Sequence, residues 1–147
     1  MKNASHIVTC DPNDTVYTDC HLLMENGVIT YIGPEEQQAE EVIDDAVCIV
    51  YPGLINTHHH LYQTFSRNLP QVQKLELFDW LKALYEIWKN LDSRVIYHSS
   101  VTGMGELMKN GCTTCFDHHY VFPQGQAEGL LGAQFAAAED LGIRMYA

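Results

Sequence analysis

Basic residues are scarce: the 147 residues hold 8 Lys and Arg against 19 Asp and Glu, a formal net charge of −11. Nucleic-acid binding needs clustered cations over the phosphates, so no nucleic-acid partner is expected. The acidic balance favours solubility and identifies no substrate. No apolar run approaches the roughly 20 residues that span a bilayer, so no membrane partner is expected either. The N-terminal Met1-Lys-Asn-Ala-Ser-His lacks the apolar core of a signal peptide. The five cysteines are odd in number and follow no regular framework, which reads as thiols in a reducing cytosol and gives a cytoplasmic expectation. Cys112-Thr-Thr-Cys115 is not read as a zinc pair, because residues three apart on a strand face opposite sides and no second pair accompanies it. Also missing are a Gly-x-Gly-x-x-Gly or P-loop run, a Gly-x-Ser-x-Gly elbow, and the cytidine-deaminase signature His-x-Glu with Pro-Cys-x-x-Cys. There is no repeat of fixed period and no low-complexity linker.

What is present is a hydrophobic fraction of 46% and a change of period near residue 63. Before it, short β-prone runs alternate with turn signals: His6 to Cys10, Thr15 to Tyr17, His21 to Met24, Val28 to Ile32, Val42 to Ile43 and Val47 to Val50. Asn26-Gly27 between two such runs predicts a tight hairpin. These runs predict a small antiparallel sheet over residues 1–50 with an uncovered edge or face, an aggregation liability. After it, Leu77, Leu81, Leu84 and Trp88, widened by Phe78 and Tyr85, predict an amphipathic helix over 75–88. The connection from Tyr62 to Lys74 is long. Asp92 predicts the N-cap of a helix over 94–110, with Lys109 in its last turn and Gly111 just beyond. Gly103 and Gly105 inside it cost propensity but allow close approach. Cys112 to Asp117 predicts a strand, Ala127 to Leu141 a helix closed by Gly142, and Ile143 onward the start of another strand. Strand, helices, strand, helix, strand predicts a parallel α/β sheet.

The informative stretch is Pro52-Gly-Leu-Ile-Asn-Thr-His58-His-His60-Leu-Tyr-Gln63. Leu54 to Thr57 predicts a buried strand carrying three histidines at its C-terminal end. Alternation sends His58 and His60 to one face and His59 to the other. Two imidazoles one residue apart can share a metal ion at about 2 Å. His59, turned away, is expected to hydrogen-bond backbone or a carboxylate.

This stretch, with Phe78-Asp-Trp-Leu and Tyr85-Glu-Ile-Trp downstream, resembles the first barrel strand of the amidohydrolase superfamily, in particular its 8-oxoguanine deaminase, hydroxyatrazine aminohydrolase and guanine deaminase branch. The resemblance covers essentially the whole chain. It implies an α/β fold: a partial (β/α)8 TIM-type barrel comprising the first two β/α units over 51–147, preceded by a small antiparallel β-sandwich portion over 1–50. It implies His58 and His60 as the first two ligands of a divalent metal, zinc foremost, with iron and manganese open. The metal would activate a water to attack an amidine-like ring carbon, releasing ammonia or an amine. The substrate would be a small purine-like or other nitrogen heterocycle. Gln63 matches a substrate-contacting glutamine of the guanine deaminase branch; otherwise it is a surface residue. Trp80, near a long loop of the kind that covers barrel sites, is a pocket wall or a core tryptophan. His118, following Asp117 at a strand's C-terminal end, is a pocket residue or a buried histidine.

A complete barrel needs roughly 200–250 residues, so the expectation is the N-terminal part of a longer enzyme. The remaining ligands and the general acid/base would lie beyond residue 147, and this portion alone would be inactive. A homo-oligomer of the full-length protein stays open, as does chlorohydrolase action. Dihydropyrimidinase-like relatives usually carry Asp before the His-x-His, where this chain has Asn56-Thr57. The rival reading is a free-standing, non-catalytic α/β module.

Overall fold

The computed structural model describes residues 1–126 and 128–147 and divides into two units, Met1–Pro52 and Gly53–Ala147. In the first, β1 (Ala4–Val8), β2 (Val16–Glu25), β3 (Val28–Gly33) and β4 (Ile49–Val50) form one sheet in the order β3-β2-β1-β4. The runs predicted at Thr15 to Tyr17 and His21 to Met24 are one continuous strand, β2. Asn26 and Gly27 join β2 to β3 with φ of 51° and 77°, the left-handed pair that matches strand twist in a two-residue hairpin. The sheet is not purely antiparallel. β4 lies parallel to β1, because residues 34–48 carry the chain back to its other side before it re-enters. Val42 and Ile43 form no strand; both are exposed, and only Lys2 and Asp44 bridge there. Ala4, Ile7, Cys20 and Leu22 make the core of this unit.

In the second unit β5 (Leu54–His59), β6 (Cys112–Asp117) and β7 (Arg144–Tyr146) form a parallel sheet in chain order. Between them run α1 (Leu77–Trp88), α2 (Ser93–Lys109) and α3 (Leu130–Leu141). The expected loop after Tyr62 is partly coiled, with 3-10 turns at Leu61–Ser66 and Pro70–Val72. Asp92 Oδ1 accepts from the Val95 amide at 2.8 Å and starts α2, and Gly111 at φ 83° follows its end. The last helix begins at Leu130 rather than at Ala127, which lies outside the described residues.

Two apolar clusters hold this unit. Tyr62, Val72, Leu84, Trp88, Leu91, Ile96, Val121 and Leu130 form one; Leu61, Met104, Cys115, Ala137, Ala138 and Ile143 form the other. The α1 stripe is narrower than its sequence suggests: Leu84 and Trp88 are buried, whereas Leu77 and Phe78 are exposed. Gly103 earns its place, since a Cβ there would meet Leu61 Cδ2 at 2.8 Å and Thr64 Oγ1 at 3.1 Å. Gly105 faces open space.

The strand predicted as buried is not. Leu54 and Ile55 are 61% and 67% exposed, on a sheet whose other face packs on helices through Cys115. Ile55, Phe116 and Tyr146 line an open concavity on the uncovered face.

Candidate functional site

Strict alternation does not run the length of β5. Asn56 pairs with Cys115 and His59 with Asp117, so three steps on β5 oppose two on β6. This is a bulge, the device that re-aims side chains at strand ends. Asn56 holds it, its Oδ1 accepting from the His58 amide at 3.1 Å. Beyond the bulge His59 shares the helix-facing side with Asp117, and His58 and His60 turn the other way.

The two outer imidazoles converge. Their Nε2 atoms lie 3.1 Å apart with the rings at 88°. Two ligands of one tetrahedral zinc, each at about 2.0–2.1 Å, have donor atoms about 3.3 Å apart. The pair therefore spans one edge of such a site and can hold a shared proton or a cation. His60 Nδ1 donates to the His118 carbonyl at 2.8 Å, which places its proton on Nδ1 and leaves the Nε2 lone pair to bind. His118 in turn donates its amide to the His59 carbonyl at 2.8 Å and stacks its ring on His58 at 4.4 Å, 20° from parallel. The donor set fits two positions of a metal site. No group of three or more His, Cys, Asp or Glu that could bind one ion occurs among the described residues.

Gln63 and Trp80 meet in a cleft of about 210 Å³, shared with Arg67 and Asn68. Gln63 Nε2 also reaches the hydroxyls of Tyr62 at 3.1 Å and Tyr120 at 3.2 Å. Tyr120 stands edge-on to His60 at 5.2 Å, so Gln63 links the cleft to the histidines. Trp80 is half-buried and also packs against Trp88 at 5.6 Å. His118 is not among the residues lining that cleft; it belongs with His58 and His60. His59 departs from expectation. Its Nδ1 is buried without a hydrogen-bond partner, and the ring lies 3.6 Å from where a Gly103 Cβ would stand. Burial holds its pKa below the ordinary imidazole value, against the opposing pull of Asp117.

Asp117 and His118, expected together at the mouth, face opposite ways. Asp117 is buried on the helix side, its Oδ1 accepting from the Leu61 amide at 2.6 Å and its Oδ2 from Gln134 Nε2 at 2.8 Å. Parity with Cys115 carries that signal. Tyr120 and Gln134 carry no sequence signal of their role, because nothing local in the sequence ties them to residue 60.

The amidohydrolase family model matches residues 49–147. Hydroxydechloroatrazine ethylaminohydrolase of Pseudomonas sp. (strain ADP) is 38% identical over 154 residues, covering 96% of this chain and 32% of that protein. The 8-oxoguanine deaminase of Pseudomonas aeruginosa is 39% identical over 127 residues, covering 84% and 28%. The crystal structure of atrazine chlorohydrolase TrzN from Arthrobacter aurescens TC1, complexed with zinc, superposes with a TM-score of 0.91 at 28% identity over 98% of this chain and 34% of that one. The chain thus spans about a third of the length of the relatives it matches. With the family model covering well over half of its residues, the chain belongs to the amidohydrolase family.

Proposed function

We propose that these residues form the N-terminal part of a metal-dependent aminohydrolase that cleaves a C–N bond of a nitrogen heterocycle. The observation that carries this is the convergence of His58 and His60 Nε2 at 3.1 Å, with the far nitrogen of His60 tied to a carbonyl. In this reading the first unit is part of a β-sandwich and the second opens a (β/α)8 barrel, with the histidines at the C-terminal mouth where barrel enzymes place their chemistry. A divalent ion, zinc by preference, would supply an activated water near neutral pH. His58 and His60 would bind it, and His118 would brace His58 by stacking. Gln63 would hold the substrate ring through its amide, beside the indole of Trp80. Two imidazoles are half of a tetrahedral set, so further ligands and the proton-transfer group would come from outside residues 1–147.

The test is ammonia or amine release from 8-oxoguanine, guanine and N-alkylated hydroxytriazines by the zinc-loaded enzyme that contains these residues. His58→Asn and His60→Asn should each lower release by at least about a hundredfold, as loss of a ligand that generates the nucleophile demands. Release that survives both substitutions would refute the proposal. Halide release from a chlorotriazine is the second reading, favoured by the TM-score of 0.91 to TrzN. The higher identities to the aminohydrolase and the deaminase favour the first.

A further inference from the structure

We propose that Asp117, backed by Gln134, is a positioning residue that sets the His58–His60 pair; this rests on the reading of that pair as metal ligands. Asp117 is 1% exposed and Gln134 fully buried, and no ion pair among the described residues includes Asp117. A buried carboxyl group is costly unless its oxygens are hydrogen-bonded, and an apolar residue of similar volume would fill the space more cheaply. What its oxygens bind explains its presence.

The Leu61 amide opens the 3-10 turn that follows His60, and the first amides of such a turn have no partner within it. The residue in the N-cap position is His60, which makes no side-chain cap. A Ser, Thr, Asp or Asn there would turn its side chain back onto the turn. The His60 ring instead extends between His118 O and His58 Nε2. Asp117 reaches the turn from the neighbouring strand: its Oδ1 accepts from Leu61 N, the first amide after His60, at 2.6 Å and so fixes the backbone that carries the His60 ring. Its Oδ2 accepts from Gln134 Nε2 at 2.8 Å, so α3 fixes the rotation of the carboxyl group. Together with the bonds from His118 N to His59 O and from His60 Nδ1 to His118 O, residues 59–61 are clamped to 117–118 at three points. The path runs from α3 through Gln134, Asp117 and the Leu61 amide to the His60 ring.

The experiment follows histidine ring nitrogens of the enzyme that contains these residues by 15N NMR while zinc is added to its metal-free form. In the unsubstituted enzyme His60 should be the Nδ1–H tautomer, and zinc should shift the Nε2 signals of His58 and His60 together. Asp117→Leu, which fills the space but cannot accept, should mix the His60 tautomers and weaken zinc binding by at least about tenfold, the usual loss when a group orienting a ligand is removed. Asp117→Asn keeps the acceptor for Leu61 N, and its amide can donate to Gln134 Oε1, which has no partner now. It should stay within about threefold of the unsubstituted enzyme. Gln134→Leu, which leaves β6 untouched, should change the signals in the same direction as Asp117→Leu. Leu84→Ala, a core truncation away from the pair, should lower the melting temperature while leaving tautomer and zinc affinity unchanged. The proposal is overturned if Asp117→Leu and Asp117→Asn behave alike, or if Leu84→Ala disturbs the tautomer as much as Asp117→Leu does. If zinc fails to reach His58 and His60 in the unsubstituted enzyme that contains these residues, the metal reading itself is wrong, an outcome distinct from those two.

Discussion

At the scale of single residues, burial opposes protonation of His119. His119 lies between Tyr62 at 5.1 Å and Phe122 at 4.9 Å, with Gln134 Nε2 3.5 Å from its Nδ1 and its Nε2 unpartnered. Desolvation holds its pKa below the ordinary imidazole value, with the Asp117 charge pulling the other way. In the unfolded chain the same ring takes up a proton near pH 6.5. The unfolded state therefore binds more protons as pH falls, so the contribution of this site is fully present above about pH 6.5 and is lost progressively below it. Denaturant midpoints at pH 7.5 and 5.5 should differ in that direction, and His119→Phe should shrink the difference. An unchanged difference would remove His119 as its source. Cysteine behaves similarly: burial pushes the Cys115 thiol up to about 11, which suits a packing residue under α2 and α3 rather than a nucleophile.

At the scale of elements, Gly103 and Gly105 make opposite predictions from one helix. Gly103→Ala drives a methyl group into Leu61 and Thr64 and should destabilise the fold by about 1–3 kcal/mol, the usual cost of overpacking. Gly105→Ala meets nothing within 4 Å and should stabilise it by about 0.5–1 kcal/mol. Chemical denaturation of both variants checks the signs; equal effects would mean that α2 does not press on the turn after His60. The helices, the hairpin and β6 were legible in the sequence because each is set by local chemistry: Asp92 as cap, Asn26-Gly27 as turn, and the β-branched Thr113 and Thr114 in β6. The convergence of His58 and His60 was legible too, although strict parity was the wrong reason for the whole strand. The Asn56 bulge is a pairing irregularity visible only against β6. Leu54 and Ile55, expected to be buried, are exposed within residues 1–147; in the barrel reading their face is the one that further strands would cover. Val42 and Ile43 are apolar and β-branched, yet β1 pairs with Ile49 and Val50 instead.

For the whole molecule, the uncovered face of the parallel sheet decides behaviour in solution. Ile55 and Tyr146 are 67% and 61% exposed beside Phe116, and exposed apolar patches of this kind bind dyes and each other. The isolated chain should enhance the fluorescence of an apolar dye and associate with rising concentration, and Ile55→Lys should reduce both without lowering the melting temperature. A dye-silent monomer at high concentration would favour the free-standing module instead. In the proposed function His58 and His60 share one divalent ion. Anomalous diffraction at the zinc edge, from zinc-grown crystals of the enzyme that contains these residues, tests this sharing. A peak about 2.0–2.1 Å from both Nε2 atoms is expected; a peak bound by only one of the two imidazoles, or lying away from both, would overturn the shared site.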